Sequence, residues 1–164
     1  MKYKIRPSEK KNIKLILYDF DGVMTDNCVY VDENGIESVK VNRGDGLGVS
    51  EIKKMGIIQK IISTEKNNVV ATRASKLDIE CYHGVSNKAE YVKTISSRLK
   101  IIPENIAFVG NDINDLEAMQ EVGLKICPSD ARREILDISD IVLKTKGGKG
   151  VVREIFDLLV QDNI

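Results

Sequence analysis

The chain has 164 residues, enough for one domain with a real core, and no apolar run reaches the roughly 18 residues needed to span a bilayer. It carries 25 basic and 25 acidic residues, so its formal charge is zero, which argues against binding nucleic acid or a membrane surface through bulk charge. Hydrophobic residues make up 42% and charged residues 30%, a balance that excludes general disorder.

Residues 1–12 read as a polar, Lys-containing lead-in without the apolar stretch of a signal peptide, and residues 13–164 as one domain. The first strand is predicted from Ile13 to Tyr18. Cys28–Val31 and Ile36–Val41 flank Asp32-Glu-Asn-Gly35, and Asn-Gly between two β-favouring runs predicts a projecting β-hairpin. The glycine-rich stretch Gly44–Gly48 comes next, then a helix to about Met55, stopped by Gly56. Ile57–Ile62 reads as the second sheet strand. A helix through Val70, Ala74 and Leu77 follows, then a short strand Glu80–His83. Tyr91, Ile95 and Leu99, four apart, mark the face of the next helix. Ile106–Val109 is a strand, Leu116–Met119 helical, Leu124–Cys127 a strand, Ala131–Leu136 a helical turn or two, and Ile141–Leu143 the last strand. Gly147–Gly150 forms a loop before a final amphipathic helix, Val151–Val160. Strands alternating with helices predict an α/β fold, a three-layer doubly wound parallel sheet. Cys28, Cys81 and Cys127 match no zinc spacing; they read as reduced thiols with packing roles in a cytoplasmic protein.

In a parallel sheet the strand C-termini share one edge, and ligands bind there. Three strand ends carry polar groups suited to chemistry: Asp19 and Asp21 on the first, Ser63 and Thr64 on the second, and Asn111, Asp112 and Asp115 on a later one. Lys88 opens a helix at the same edge. Asp19, Asp21 and Asp112 brought together would repel one another, and a hard divalent cation such as Mg²⁺, held by oxygen ligands, resolves that. A phosphate would then bridge from the metal to Ser63 and Lys88, an arrangement suited to phosphoryl transfer.

Asp19-Phe-Asp-Gly-Val-Met-Thr-Asp26, Ser63, Lys88 and Gly110-Asn-Asp-Ile-Asn-Asp115 resemble the four motifs of the haloacid dehalogenase superfamily, a likeness that runs from Ile13 to the end. Ser86-Asn-Lys88, the hairpin and Gly147-Gly-Lys-Gly-Val-Val-Arg153 resemble its small capless phosphatases. Those act on 3-deoxy-manno-octulosonate (KDO) 8-phosphate or on nine-carbon sugar-acid 9-phosphates of the sialic acid type. The resemblance implies Asp19 as nucleophile and Asp21 as general acid and base. It implies Mg²⁺ on Asp19, the Asp21 backbone carbonyl and Asp112, with Asp115 and Asn111 supporting from behind. Ser63, Thr64 and Lys88 would bind phosphate. Relatives often have Thr-Gly where this chain has Ser63-Thr64, so a Cβ stands where glycine permits close approach.

The gaps between motifs leave no room for a cap, and the resemblance implies a homotetramer, built through the hairpin, with sites at subunit interfaces. At position 65, KDO 8-phosphate enzymes tend to carry Arg and nine-carbon-acid enzymes Glu. Glu65 therefore points to a nonulosonate 9-phosphate, with Arg73 and Lys76 expected to meet the substrate carboxylate, across an interface if need be. The alternatives are a KDO 8-phosphate phosphatase, or a phosphatase-like oligomerisation module such as accompanies some CMP-sialic acid synthetases. A phosphotransferase or mutase fits less well, since no second substrate site is evident.

Overall fold

The computed structural model describes residues 12–161, so the expected lead-in, apart from Asn12, lies outside the described residues. The strands are β1 Leu15–Tyr18, β2 Thr25–Val31, β3 Glu37–Val41, β4 Ile58–Ile62, β5 Glu80–Tyr82, β6 Ile106–Val109, β7 Leu124–Cys127 and β8 Ile141–Val142. The helices are α1 Arg43–Lys54, α2 Asn68–Leu77, α3 Lys88–Leu99, α4 Leu116–Gln120, α5 Arg133–Ile138 and α6 Val151–Gln161.

Among the described residues, six strands form a parallel sheet in the order β5-β4-β1-β6-β7-β8. The chain runs outward from β1 through β4 and β5, then returns to its other side for β6, β7 and β8. The strand order therefore reverses at β1, which is the ligand-binding switch point of such a sheet. Alternation along β1 explains the layers. Ile16 and Tyr18 pack with Val49 and Ile52 of α1, Val70 and Ala74 of α2 and Ile155 of α6. Leu15 and Leu17 pack on the opposite face with Val92 and Ile95 of α3, Met119 of α4 and Ile135 of α5. A strand buried on both faces has no polar side to show, which is why its sequence is a continuous apolar run.

The second sheet is the antiparallel pair β2–β3. Its turn is set by Asp32, whose carboxylate accepts from Asn34 N at 2.9 Å and Ile36 N at 2.8 Å. Val29, Tyr30, Val31 and Ile36 are exposed on this hairpin. Among the described residues no separate cap covers the sheet edge.

Three expectations need correction. The glycines at 44–48 lie inside α1, not before it. Asn42 caps the helix, accepting from Gly44 N at 2.7 Å, and Gly48 lets the Val152 backbone pass where a Cβ would stand 2.8 Å from its carbonyl carbon. The buried face of α3 is Lys88, Ala89, Val92 and Ile95, whereas Tyr91 is exposed and meets the Tyr82 ring edge-on at 5.5 Å. Of the cysteines only Cys127 is buried; Cys81 is half-buried and Cys28 is exposed on the hairpin.

Candidate active site

β1, β4 and β6 run in register, Tyr18 lying between Ile61 and Val109, so their C-terminal ends arrive side by side. Asp19 follows β1, Ser63 follows β4, and Gly110-Asn111 follows β6. This brings together most of the residues that the sequence singled out.

Asp19, Lys88 and Asp115 are 4%, 3% and 0% exposed. Lys88 Nζ stands 2.7 Å from Asp19 Oδ1 and 2.7 Å from Asp115 Oδ1. Asp115 Oδ2 accepts from Asn111 N at 2.9 Å and Asp112 N at 3.3 Å, so the same carboxylate that steadies Lys88 also shapes the turn after β6. Burial, with Asp115 beside it, pushes Asp19 up to about 8 against the pull of Lys88. Burial alone would lower Lys88, but Asp19 and Asp115 outweigh it and hold the ammonium above its ordinary value. Lys88 is thus a buried counter-ion at the first position of α3, whose N-cap is Asn87.

Asp21 is half-buried. Burial and the nearby Glu65 carboxylate raise it, while Thr25 Oγ1, donating at 3.4 Å, works against the rise. The fully buried Thr25 hydroxyl also accepts from Gly22 N at 3.2 Å and Asn27 N at 3.1 Å, locking the turn after β1. From beneath, Gly148 N donates to Val23 O at 2.9 Å and Gly147 N to Asp130 Oδ1 at 2.9 Å. A Cβ at Gly147 would collide with the Gly22 carbonyl oxygen, and one at Gly148 (φ +68°) with Asp26 N.

The Asn111 carboxamide lies against the acids. Its inward atom is 3.2 Å from Asp19 Oδ2 and 2.9 Å from the Asp21 backbone oxygen. Its two ends suit two states of the site. The NH₂ group facing inward donates to both oxygens, whereas the oxygen facing inward sets a third oxygen beside the Asp19 carboxylate and the Asp21 carbonyl, a donor set for a hard cation. Asp112 is turned aside: its Oδ1 accepts from Ile113 N at 2.7 Å, capping the 3₁₀ turn Ile113–Asp115, and its Oδ2 lies 3.8 Å from Arg132 Nε. Accordingly, no cluster of three or more His, Cys, Asp or Glu side chains arranged to hold a metal occurs among the described residues.

Above this floor lies a cavity of about 140 Å³, lined on its rim by Asn27, Thr64, Glu65, Asp112 and Asn114. Among the described residues no basic side chain lines it. The carboxyl groups of Asp19, Asp21 and Glu65 share this small space, with Asp112 at its edge, and would repel a phosphate, so a cation at the three oxygens fits both the charge and the donor chemistry. Ser63 is buried below the rim, its Oγ accepting from Glu65 N at 3.1 Å; Asn67 rather than Ser63 caps α2. Asn114 Nδ2 reaches Thr64 Oγ1 at 3.5 Å.

Arg73 and Lys76 do not join this cavity. They line a separate groove of about 610 Å³ between α2 and the hairpin, with Val39, Val41 and Thr72, and Arg73 Nη2 donates to Asn42 O at 3.0 Å. Two rim residues escaped the sequence analysis, Asn27 and Asn114. Asn114 sits within the motif Gly110–Asp115 and Asn27 directly follows the motif that ends at Asp26, so a scan for amides as well as acids would have found them.

The fold and this edge of the sheet match a known class: the profile of haloacid dehalogenase-like hydrolases covers residues 46–155, and the chain belongs to that family. It is a phosphoric monoester hydrolase. The 3-deoxy-D-manno-octulosonate 8-phosphate phosphatase KdsC of Escherichia coli (strain K12) is 36% identical over 154 residues, spanning 93% of this chain and 82% of that one. The same-named protein of Yersinia pestis is 35% identical over 156 residues, spanning 93% and 83%. Among solved structures, the Moraxella catarrhalis 3-deoxy-D-manno-octulosonate 8-phosphate phosphatase, in complex with magnesium ion, phosphate ion and KDO, superposes with a TM-score of 0.90 at 30% identity, covering 95% of this chain and 90% of that one. The cobalt-bound Haemophilus influenzae enzyme gives 0.88 at 29% identity, covering 94% and 91%.

Proposed function

We propose that this hydrolase is a Mg²⁺-dependent phosphatase of 3-deoxy-2-keto sugar acids, working through an aspartyl-phosphate on Asp19. The observation that carries the reading is the convergence of Asp19 Oδ2, the Asp21 carbonyl and the Asn111 carboxamide, backed by buried Lys88, under a rim without a base. Asp19, Asp21 through its backbone oxygen, and Asn111 in preference to Asp112 would hold the cation. When bound, the cation neutralises charge and aligns the phosphate.

A carboxylate oxygen of Asp19 attacks phosphorus as the bond to the sugar oxygen breaks, and Asp21 gives its proton to that departing oxygen. Asp21, now ionised, takes a proton from water; the hydroxide attacks phosphorus, the bond to Asp19 breaks, and inorganic phosphate leaves. The raised affinity of Asp21 for its proton, through burial and Glu65, suits the donor half of this cycle. Lys88 and the Ser63 hydroxyl bind phosphate oxygens, with Thr64 at the mouth.

The cavity is smaller than the roughly 300 Å³ of ordinary small-molecule sites, so the sugar extends past the rim. That, with the exposed apolar hairpin, supports a homotetramer in which a neighbour completes the site and Arg73 and Lys76 act on another subunit's substrate. No helix among the described residues is long and apolar enough to cross a membrane, in keeping with a cytoplasmic role. Glu65, on the rim beside Asp21, supports a nonulosonate 9-phosphate; the names of the relatives favour KDO 8-phosphate.

The test is phosphate release from KDO 8-phosphate and from nine-carbon keto-acid 9-phosphates, with EDTA and with Mg²⁺ restored. Asp19→Asn is expected to lose at least about 10³-fold in kcat. Undiminished release by that variant, or activity indifferent to EDTA, would overturn the reading, and a clear preference for KDO 8-phosphate would overturn the inference from Glu65.

A further inference from the structure

Asn27 occupies an unusual place. It is a non-glycine residue with φ +63°, a left-handed backbone that most side chains disfavour and Asn tolerates. It lies where the β2–β3 register shifts between Thr25 and Val29, so the irregularity lifts the chain out of the ladder at this point. The result is that Asn27 lines the cavity alongside Asp19, Asp21 and Glu65. Its backbone N–H is tied to Thr25 Oγ1, the hydroxyl that also donates to Asp21, so its position is indexed to the carboxyl that handles the leaving group's proton. Its carboxamide, by contrast, has no hydrogen-bond partner among the described residues, whereas Asn114 engages Thr64 and Glu65 offers only acceptors.

We infer that Asn27 is a specificity-determining residue that reads the leaving group, its carboxamide hydrogen-bonding a hydroxyl on the carbon next to the phosphate ester. The ligand class is a phosphate monoester of a polyhydroxylated chain, in contrast to a simple alkyl or aryl phosphate. A carboxamide can donate to and accept from such a hydroxyl at once, and a group beside Asp21 is the one that the sugar carbons nearest the breaking bond must meet. The inference rests on Asp21 acting as the acid toward the leaving oxygen.

The experiment compares wild type, Asn27→Gly and Asn27→Asp on KDO 8-phosphate, on a nine-carbon keto-acid 9-phosphate and on p-nitrophenyl phosphate, which has no hydroxyl to read. Glycine keeps the left-handed backbone and removes only the carboxamide; Asp keeps the shape and removes the donor. In Asn27→Gly, kcat/KM on the better sugar-acid phosphate should fall about tenfold more than on p-nitrophenyl phosphate, with the loss mainly in KM. Asn27→Asp should fall in the same direction. Equal losses on both kinds of ester would mean that Asn27 only shapes the turn, and no loss on any would mean that it reads nothing; either overturns the proposal. A wild-type protein without activity on any of the three esters would instead sink the phosphatase reading itself, and this one with it.

Discussion

On the floor of the cavity, Asp19, Lys88 and Asp115 are almost wholly buried and hold one another at 2.7 Å; on the rim, Asn27, Glu65 and Asn114 face solvent with few partners. Charge is concentrated where water is excluded, and adaptable hydrogen-bonding groups are left where a substrate arrives. Buried charges must be paired to be tolerated, so the floor has little freedom to vary without collapse. The rim carries no such debt. The division teaches that chemistry and substrate choice are separable here, and substitutions can probe it from each side.

The largest effect is expected at Lys88. Lys88→Met removes the cation that two buried carboxylates share and should cost about 3–5 kcal/mol in urea unfolding, beyond abolishing turnover. A cost under about 1 kcal/mol would break the picture of a pre-organised floor. Asp45 supplies a control, a carboxylate as buried as the floor's but away from the cavity. Its Oδ1 accepts from Val152 N at 2.9 Å and its Oδ2 has no partner. Burial raises it to about 6, against the pull of the Val152 and Arg153 amides and of Arg73. A folded-state value above the unfolded one means that stability is fullest in acid and declines as pH rises from about 4 to about 6. Asp45→Asn keeps an acceptor for α6 without the charge, so it should gain about 2 kcal/mol above pH 6 and little below pH 4, measured by denaturation across pH.

Asn111→Asp tests the assignment at the boundary between floor and rim. A carboxylate in place of the carboxamide should tighten Mg²⁺ binding about tenfold by calorimetry on EDTA-treated protein, while Asn111→Ala weakens it. If Asp112→Ala weakens binding and Asn111→Ala does not, the third ligand is Asp112 after all. The smallest effect belongs to the rim. Glu65→Gln should change the preference between nine-carbon and KDO substrates about threefold to tenfold, with no loss in thermal melting.

The parts that were legible in the sequence are those governed by local pattern. The β1 and β6 runs, the Asn-Gly hairpin and the final helix are visible because burial on both faces, turn chemistry and helical periodicity all leave marks in neighbouring residues. What escaped depends on distant packing. The glycines of α1 look like a loop until Val152 is seen crossing them. The α3 face was misjudged because one of its buried members is Lys88, whose partners lie on other elements, and a search for apolar spacing preferred Tyr91. In the motif after β6 the acids drew attention to Asp112. Only the backbone of the turn reveals that Asp112 is spent on a cap and that a neutral amide faces the pair. Arg73 and Lys76 were seen as neighbours on α2, but α2 packs into the core through Val70 and Ala74, and this turns the two charges toward the hairpin groove.

The seat of Gly147 and Gly148 beneath the turn after β1 bears on how the protein is made. Every acid of the site precedes these glycines along the chain, and α6, pinned through Asp45 to α1, follows later still. Contacts so far apart in sequence form late, since closing long loops costs entropy first. The growing chain therefore carries the carboxylates of the site while its catalytic turn still lacks a footing, and competence waits for Gly147, Gly148 and α6.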